Sequence, residues 1–491
     1  MSGAAASRSG AGARHAAAEH PVAGARDLAA SRPSAGARHA EIAGAGFAGL
    51  TLATALARGG WSVRVHERSA APRGGGAGIF LWENGLRTLA ALGLEAEVLR
   101  RSHSAAAWQE RDHLGADLGH RPFPLPGGLR MVTMTRSDLY APLLRAAREA
   151  GVDLRTGSEV VGADPAGALL TAGAASGRAP AAPAVRRWPA DLVVGADGIS
   201  SRVREAVGLL RARRSFEELT IVRFTVPRER APGRDSLWSD YSDHWNLAAR
   251  RRVMVVPCNA NDLYLLLAAR AHDAAATARP LDGAVWAESF PLLAPLLREL
   301  PPAPHADRYE AVEVEAWSRG RVALVGDAAH AMPPTIGQGA GTAMTNALAL
   351  AAALIAHAAP ASAQAAPASA QIAPAPAQNA PAPAQNAPAP AQNAPAPAQN
   401  APAPAQNAPA PAQNAPAPAQ NGPASAQAAP APAQNAPRDD VRDVLAAWEA
   451  AERPITDATQ EASIARLADL FPTPGVRRDS WGARPLDAAA R

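Results

Sequence analysis

The stretch RHAEIAGAGFAGLTLATALARGGWSVRVHE, residues 38–67, decides the fold of this chain. The apolar run 40–43 predicts a strand, and three glycines follow it with the spacing G-x-G-x-x-G, namely Gly44, Gly46 and Gly49. An Ala/Leu-rich segment without a breaker then predicts a helix. Gly59 and Gly60 end it, and residues 61–65 predict a second strand. This order of elements is typical of a βαβ unit that binds a dinucleotide.

Each glycine has a physical role in such a unit. Gly44 permits the tight turn, Gly46 lets the backbone approach a pyrophosphate, and Gly49 lets the helix pack close to the strand. The start of the helix offers free N–H groups and a partial positive charge to phosphates. Glu67 ends the second strand, where an acid can accept a hydrogen bond from a ribose hydroxyl. The stretch therefore predicts dinucleotide binding rather than a chance glycine turn.

Two further motifs contain an aspartate that could bind a polyol hydroxyl. GADG at residues 195–198 follows an apolar strand, and by itself it is an ordinary end of a strand. GDAAHAMPP at residues 326–334 is more specific, because GQGAG at residues 337–341 follows it and opens another predicted helix. Asp197 and Asp327 are the acids, and the second helix again directs positive charge towards its glycines.

Two other segments could approach a bound cofactor. A glycine-rich loop, residues 73–78, precedes the apolar residues 79–82, and it is either a flexible connection or backbone passing over a flat group. A predicted strand, residues 131–136, is followed by a predicted helix that begins at Ser137 or Asp138, so Arg136 lies at the junction of the two. An arginine at such a junction is usually a solvated charge, but Arg136 could also reach a phosphate.

Composition excludes several classes of function. The formal net charge is +4, and the first 38 residues supply most of it, so the remainder has no basic face to suggest nucleic acid. All 48 basic residues are arginine. Cys258 is the only cysteine, so no internal disulfide or cysteine-cluster metal site is possible. We expect no metal and a reducing, cytoplasmic location. No run of 18 apolar residues predicts a membrane span.

Two segments have compositions that do not favour a packed fold. Residues 1–37 have almost no large apolar side chains, so we expect a disordered tail, with a targeting peptide as the alternative. Residues 360–437 contain seven unbroken copies of Ala-Pro-Ala-Pro-Ala-Gln-Asn between residues 373 and 421. Two prolines per heptad forbid a helix and favour an extended or disordered chain. The repeat is either a neutral expansion or a tether.

The three motifs, in this order, resemble those of the flavin monooxygenases of the p-hydroxybenzoate hydroxylase fold. The resemblance covers residues 38–357 and resumes at 440–467. The chain most resembles the pyridine-ring oxygenases of that family, and the segments that carry this likeness are AEIAGAGFAGLT, GAGIFLWENGLR, MTRSDL, CNANDLYL and AWEAAERPITD. It implies an α/β chain whose Rossmann-like FAD-binding domain contains an inserted, mostly antiparallel β-sheet substrate domain. The expected segments are a tail (1–37), the FAD-binding domain (38–205 and 317–359), the substrate domain (206–316), the repeat (360–437) and a C-terminal helical segment (438–491).

The resemblance implies FAD as cofactor and NADH or NADPH as co-substrate. Oxygen would pass from a flavin hydroperoxide to a small, acidic aromatic substrate such as a phenol or hydroxypyridine. The residues implied in holding FAD are Gly44, Gly46, Phe47, Ala48, Gly49, Glu67, Arg68, Arg136, Asp197, Gly326, Asp327, Gly339, Ala340 and Gly341. Those implied in facing the substrate are Phe80, Arg223, Tyr264 and Pro334, and those implied in catalysis are Arg223, Tyr264 and Pro333.

The chain departs from the family at several positions. Phe80 stands where the pyridine-ring enzymes have a tyrosine, and Thr345 and Asn346 stand where the family often has acids. His330 is expected to pack beside the flavin rather than to act as a base. A flavin halogenase needs a lysine and a W-x-W-x-I-P motif, both absent from this chain. A flavin-dependent reductase or desaturase remains open, as does a non-catalytic protein in which the repeat is the working part.

Overall fold

The computed structural model describes residues 28–29, 37–72, 74–75, 77–125, 128–173, 185–231, 238–301, 305–358 and 441–469. Contacts divide the chain into one unit of residues 1–372 with 440–491 and a second unit of residues 373–439. The second unit lies outside the described residues, as does the rest of the predicted repeat. The predicted tail lies outside them too, except for Leu28–Ala29 and residue 37.

The described residues form both strands and helices. The strands are Leu28–Ala29, His39–Ala43, Ser62–Glu67, Gly78–Trp82, Ala107–Asp112, Asp117–Pro122, Met131–Thr135, Asp153–Thr156, Val160–Asp164, Ala168–Ala172, Val185–Pro189, Leu192–Gly195, Leu210–Pro227, Tyr241–Asn246, Arg251–Pro257, Asp262–Arg270, His305–Val314, Ser318–Arg319 and Val322–Leu324. The α-helices are Phe47–Arg58, Glu83–Ala91, Glu95–Leu99, Arg136–Glu149, Arg202–Ala206, Ala274–Thr277, Gly283–Ser289, Ala294–Leu297, Asp327–His330, Gly339–Ala358 and Val441–Asp469. Short 3-10 helices span Arg228–Arg230, Pro291–Leu293 and Pro334–Ile336.

A six-stranded sheet forms the centre of the dinucleotide unit, and we call it the parallel sheet. Its strand order is 318–319, 322–324, 192–195, 39–43, 62–67 and 153–156. All neighbours are parallel except the pair at the 318–319 edge. His39–Ala43 is buried throughout. The sequence prediction of a βαβ unit at residues 38–67 is therefore confirmed.

A seven-stranded sheet forms the second layer of structure. The sequence predicts strands at residues 252–256 and 263–268 around a turn at residues 259–262, which together form a hairpin. The sheet contains this hairpin, in which Arg251–Pro257 pairs antiparallel with Asp262–Arg270. The sheet is not built from residues 206–316 alone, because Ala107–Asp112 and Asp117–Pro122 form one of its edges. Ala107–Asp112 joins by parallel pairing with Tyr241–Asn246, a long-range contact that no local pattern in the sequence signals.

A buried carboxylate sits in the middle of the parallel sheet. Glu41 is 1% exposed and accepts hydrogen bonds from His39, Arg64 and His66 at 2.7, 2.9 and 2.8 Å. Burial alone would raise the pKa of Glu41, but the hydrogen bonds from His39 and His66 and the nearby positive charge outweigh it and hold the pKa below its usual value. Glu41 therefore remains ionised inside an otherwise apolar strand.

Two long helices of the folded unit lie on either side of the repeat in the sequence. Gly339–Ala358 precedes the repeat and is long and apolar enough to cross a membrane, although half of that apolar stretch is buried in the folded unit. Val441–Asp469 follows the repeat and packs on Gly339–Ala358, as the sequence predicts. Trp448 is buried in this contact and donates a hydrogen bond to the Asn346 carbonyl at 3.1 Å.

Because loop-closure entropy grows only with the logarithm of length, we expect the repeat to matter little for stability. Deleting residues 373–421 should stabilise the protein by about 1 kcal/mol or less. In contrast, Trp448→Ala removes a buried aromatic side chain from the helix contact and should cost about 3 kcal/mol. Urea unfolding followed by tryptophan fluorescence measures both. A deletion as harmful as Trp448→Ala would show that the repeat contributes to the folded state.

Candidate active site

The predicted motifs converge at the carboxyl edge of the parallel sheet. Gly44 follows Ala43, Glu67 ends its own strand, Asp197 follows Gly195, and Asp327 follows shortly after Leu324. These four strands are neighbours in the sheet. Ligands of open α/β sheets bind in the crevice outside this edge.

The glycine turn is held by very close backbone contacts. Gly44 has φ +95°, and a Cβ there would lie 2.4 Å from the Ala196 carbonyl oxygen. A Cβ at Gly49 would lie 2.1 Å from the Gly44 carbonyl oxygen. At Gly46, by contrast, no atom lies within 4 Å of where a Cβ would be. Gly44 and Gly49 therefore shape the turn, while Gly46 borders open space at the start of the Phe47–Arg58 helix.

A cavity of about 400 Å³ lies directly against this turn. The predicted residues Gly46, Phe47, Glu67 and Arg136 line it, together with Gly74 and Gly75 of the predicted glycine-rich loop. The sequence analysis missed further residues of the wall, namely Ala45, Ser69, Ala71, Pro72 and Tyr140. Tyr140 had a signal in the sequence, because it lies one helical turn after Arg136 and on the same face. Burial, with the charge of Glu67 acting in the same direction, raises the pKa of Tyr140 to about 12.

Glu67 and Arg136 have defined partners within the wall. The Glu67 carboxylate accepts hydrogen bonds from the Ala45 and Ser69 backbone N–H groups at 3.0 and 2.8 Å. The Arg136 guanidinium lies 4.8 Å from the centre of the Phe47 ring and donates through Nε to the Gly74 carbonyl at 3.1 Å. A carboxylate and a guanidinium therefore face one cavity. Arg68 is exposed and does not line it.

Asp327 is the acid of the third motif, and its side chain is exposed to solvent. Its carboxylate has no hydrogen-bond partner among the described residues. Enclosure by the surrounding protein raises the pKa of its carboxyl, while the charge of Arg136 acts in the opposite direction. Gly326 has φ +60°, and its missing side chain allows contact with Ala48, whose Cβ would lie 3.0 Å from a Cβ at Gly326. The first and third motifs thus touch.

Asp197 has a structural partner as well as an unsatisfied atom. Its Oδ2 accepts from the backbone N–H groups of Arg202 and Val203, at 2.8 and 3.2 Å, at the start of helix Arg202–Ala206. Its Oδ1 is buried without a partner among the described residues. Burial outweighs the hydrogen bonds, which include the one from Val203, and raises the pKa of the Asp197 carboxyl above its usual value.

Three glycine-motif residues begin the long helix Gly339–Ala358. No atom lies within 4 Å of a Cβ position at Gly339, whereas a Cβ at Gly341 would lie 2.7 Å from Asn84 Oδ1. Gly339 therefore borders open space like Gly46, and Gly341 is needed for packing. Ala340 lies between them and is half-buried.

Aromatic side chains gather on the other side of the third motif. The Phe80 ring centre lies 6.0 Å from those of Trp108 and Tyr241 and 6.4 Å from that of Tyr264. Trp108 and Tyr241, which sequence reasoning missed, reach this place through the parallel pairing of their strands. A Cβ at Gly78 would lie 2.4 Å from the Tyr264 ring, so this face of the seven-stranded sheet lies against Gly78–Trp82.

Arg223 and Tyr264 share this face of the sheet. In the strand register, Arg223 lies opposite Leu266 and Thr225 lies opposite Tyr264. Opposed residues share a face, as do alternate residues along one strand, so both side chains point the same way. Tyr264 is buried and Arg223 is half-buried.

His330 is buried and neutral rather than placed as a base. Burial lowers the pKa of His330 to about 4. Its ring packs against Trp317 with centres 5.4 Å apart, and its Nε2 lies 3.2 Å from Asn346 Nδ2. Asn346 also donates to Thr456 Oγ1 at 2.9 Å. The amide at this position therefore connects the third motif to the C-terminal helix.

These residues fit a long, flat, negatively charged dinucleotide. The helix starts at Gly46 and Gly339 border open space, and Arg136 lines the cavity. The third motif adds the solvent-accessible carboxylate of Asp327. Beyond them an aromatic face with an arginine could hold a planar ring. A Rossmann-like domain joined to such a sheet is typical of flavin-dependent oxidoreductases.

Comparison with known proteins agrees with this class. Residues 39–365 match the family described as FAD binding domain, so the chain belongs to that family. It is 42% identical to putative 2-heptyl-3-hydroxy-4(1H)-quinolone synthase AqdB1 of Rhodococcus erythropolis, over 64% of this chain and 79% of the relative. It is 41% identical to 2-heptyl-3-hydroxy-4(1H)-quinolone synthase of Mycobacteroides abscessus, over 64% of this chain and 81% of the relative.

A solved structure agrees over nearly the whole chain. The crystal structure of the C294A mutant of 2-methyl-3-hydroxypyridine-5-carboxylic acid oxygenase is 33% identical, with a TM-score of 0.67. The match covers 93% of this chain and 97% of that chain. The protein is therefore an FAD-dependent monooxygenase, and the predicted fold class and cofactor are confirmed.

The two glycines at the turn allow a sharp test of the cofactor site. Gly49→Ala should lower both FAD affinity and the stability of the apoprotein, because its Cβ meets a backbone oxygen, and we expect a cost of about 1–3 kcal/mol. Gly46→Ala should leave apoprotein stability unchanged and weaken FAD binding only. Flavin fluorescence titration and thermal unfolding measure the two effects. Wild-type affinity and stability in Gly49→Ala would contradict this account of the turn.

Proposed function

We propose that this enzyme uses NADH or NADPH and O2 to hydroxylate an electron-rich aromatic ring of the phenol or hydroxypyridine type. The observation that carries the proposal is the aromatic face of Phe80, Trp108 and Tyr264, with Arg223 on the same sheet face as Tyr264. Bound FAD supplies the redox chemistry, accepting hydride from the nicotinamide and activating O2 once reduced. The protein supplies binding, orientation and exclusion of water.

The cofactor side of the site offers a set of complementary groups. Arg136 is suited to the phosphates, since a guanidinium binds phosphate oxygens with charge-assisted hydrogen bonds. Asp327 has its carboxylate oxygens available to accept from the ribityl hydroxyls. The helix start at Gly339 borders open space and would offer its N–H groups to the flavin. Glu67 already accepts two backbone bonds and uses its remaining lone pairs for the ribose.

The substrate side combines an apolar surface with few polar groups. Arg223 is the proposed partner of a substrate carboxylate or ring oxygen, because its fork matches planar anions. Tyr264 orients the ring, and Phe80 packs on its face without offering a hydroxyl. Pro333 and Pro334 close the reacting side and keep water out.

The names of the relatives support a heteroaromatic ring as the proposed class of substrate. The relatives at 42% and 41% identity are named for a 3-hydroxylated 4-quinolone, and the structural neighbour for a hydroxypyridine carboxylic acid. A 4-quinolone contains a fused hydroxypyridine ring in its keto form, so both names share one ring type. Four aromatic side chains in one group suit a flat ring of this size. We further propose that the enzyme acts in the cytoplasm.

The test of the function is NADH and NADPH oxidation by the FAD-loaded protein with three substrate sets: hydroxybenzoates, hydroxypyridine carboxylates and 2-alkyl-4-quinolones. Stimulated oxidation together with an oxygenated product, identified by mass spectrometry, is expected for one of the heteroaromatic sets. Oxidation that no ring stimulates would instead favour a flavin-dependent reductase.

Arg223 is the residue whose removal best tests the substrate side. Arg223→Ala should raise KM for the preferred ring by roughly 10- to 100-fold, corresponding to about 1.5–3 kcal/mol for a charge-assisted hydrogen bond. FAD content should not change. Arg211→Ala, an exposed arginine on the same strand, is the matched control. Normal KM and turnover in Arg223→Ala would rule out the assigned role.

A further inference from the structure

A short segment joins the cofactor crevice to the aromatic face. This segment, residues 331–338, is called the proline loop, and it runs from the end of helix Asp327–His330 to the start of helix Gly339–Ala358. Gly337, with φ +67°, lies against the aromatic side, where its Cβ would be 3.0 Å from Phe80 Cβ. The loop therefore borders both the residues assigned to the cofactor and those assigned to the substrate.

The sequence of the proline loop limits how its backbone can be held. Pro333 and Pro334 are adjacent and have no N–H group, so they cannot donate to a strand or helix. Several carbonyl groups of the loop accept hydrogen bonds from donors elsewhere in the chain. On one side, Trp82 Nε1 donates to the Ile336 carbonyl at 3.1 Å.

On the other side, the Val312 backbone N–H donates to the Ala331 carbonyl at 3.0 Å, and the C-terminal helix supplies further donors. Gln460 Nε2 donates to the Ala331 carbonyl at 2.8 Å and to the Val312 carbonyl at 2.9 Å. The Ser463 hydroxyl donates to the Pro333 carbonyl. Thr335 Oγ1 donates back to the Ser463 carbonyl at 2.6 Å. Gln460 is 8% exposed and Ser463 is fully buried, so water cannot readily replace these bonds.

We propose that Gln460 and Ser463 are positioning residues that fix the proline loop against the bound cofactor and thereby set the coupling of NAD(P)H oxidation to hydroxylation. Coupling is the fraction of oxidised NAD(P)H that yields hydroxylated product. This inference rests on the proposed function, because it assigns the loop to the reacting side. The inference gives the helix that follows the repeat a role in positioning the proline loop.

The chemical consequence follows from two balanced reactions. In the coupled reaction, NAD(P)H, O2, H⁺ and the aromatic substrate give NAD(P)⁺, the hydroxylated ring and water. In the uncoupled reaction, NAD(P)H, O2 and H⁺ give NAD(P)⁺ and hydrogen peroxide. A displaced loop admits water and misplaces the ring, which favours the second reaction over the first. Overall NAD(P)H consumption continues in either case.

The first arm of the test needs no catalytic turnover. Ser463→Ala deletes one hydroxyl, and Gln460→Met keeps the side-chain length without donors. Hydrogen–deuterium exchange of peptides covering residues 331–342 should become several-fold faster in both variants of the full FAD-loaded chain. Two changes in the same helix are the matched controls: Glu461→Ala at an exposed residue, and Thr459→Ala at a half-buried residue whose hydroxyl donates to the Ile455 carbonyl of its own helix at 2.8 Å. Unchanged exchange in both Ser463→Ala and Gln460→Met would overturn the proposal.

The second arm measures product and hydrogen peroxide per NAD(P)H consumed. We expect coupling to fall two-fold or more in both variants and not in the controls. Because the ratio is taken per NAD(P)H, a change in FAD content does not affect it. Faster exchange with unchanged coupling would also overturn the proposal. A wild-type protein that no ring stimulates would refute the proposed function instead, and the exchange arm would still decide whether the helix holds the loop.

Discussion

The fold depends on the close backbone packing of one turn at the carboxyl edge of the parallel sheet. The Gly44 turn lies against Ala196, and Gly49 lies against the Gly44 carbonyl, at distances that leave no room for a side chain. The contact brings helix Phe47–Arg58 against two adjacent strands and aims its N-terminus at the crevice. Because protein interiors are close-packed, one added methyl group there must displace the backbone. Cofactor geometry and sheet geometry are therefore linked.

Parallel pairing converts separate motifs into one site. Strands of one sheet end at a common edge, so residues far apart in sequence, such as Glu67, Asp197 and Asp327, come to the same crevice. The interior behind this edge is mostly apolar, yet it accommodates the ionised Glu41 because three side chains donate to it. A carboxylate in such surroundings is tolerated only when it is fully partnered.

The remaining walls come from elements distant in sequence. The seven-stranded sheet contributes Arg223 and Tyr264, and the C-terminal helix holds the proline loop through buried side-chain donors. The repeat separates that helix from the rest of the folded unit in the sequence. Since closing a long loop costs little more than closing a short one, the insertion is compatible with a native contact between the helices.

The sequence alone determined the cofactor motifs, because the G-x-G-x-x-G turn, GADG and GDAAH…GQGAG act through local backbone conformation and helix starts. It also determined the antiparallel hairpin and the terminal helix, whose patterns are local. Only the tertiary structure decided the rest. The pairing of residues 107–112 with 241–246, the hydrogen bonds of Arg64 and His66 to Glu41 and the contact of Ser463 with Pro333 join residues far apart in the chain. Such contacts depend on three-dimensional packing, which periodicity and composition do not encode.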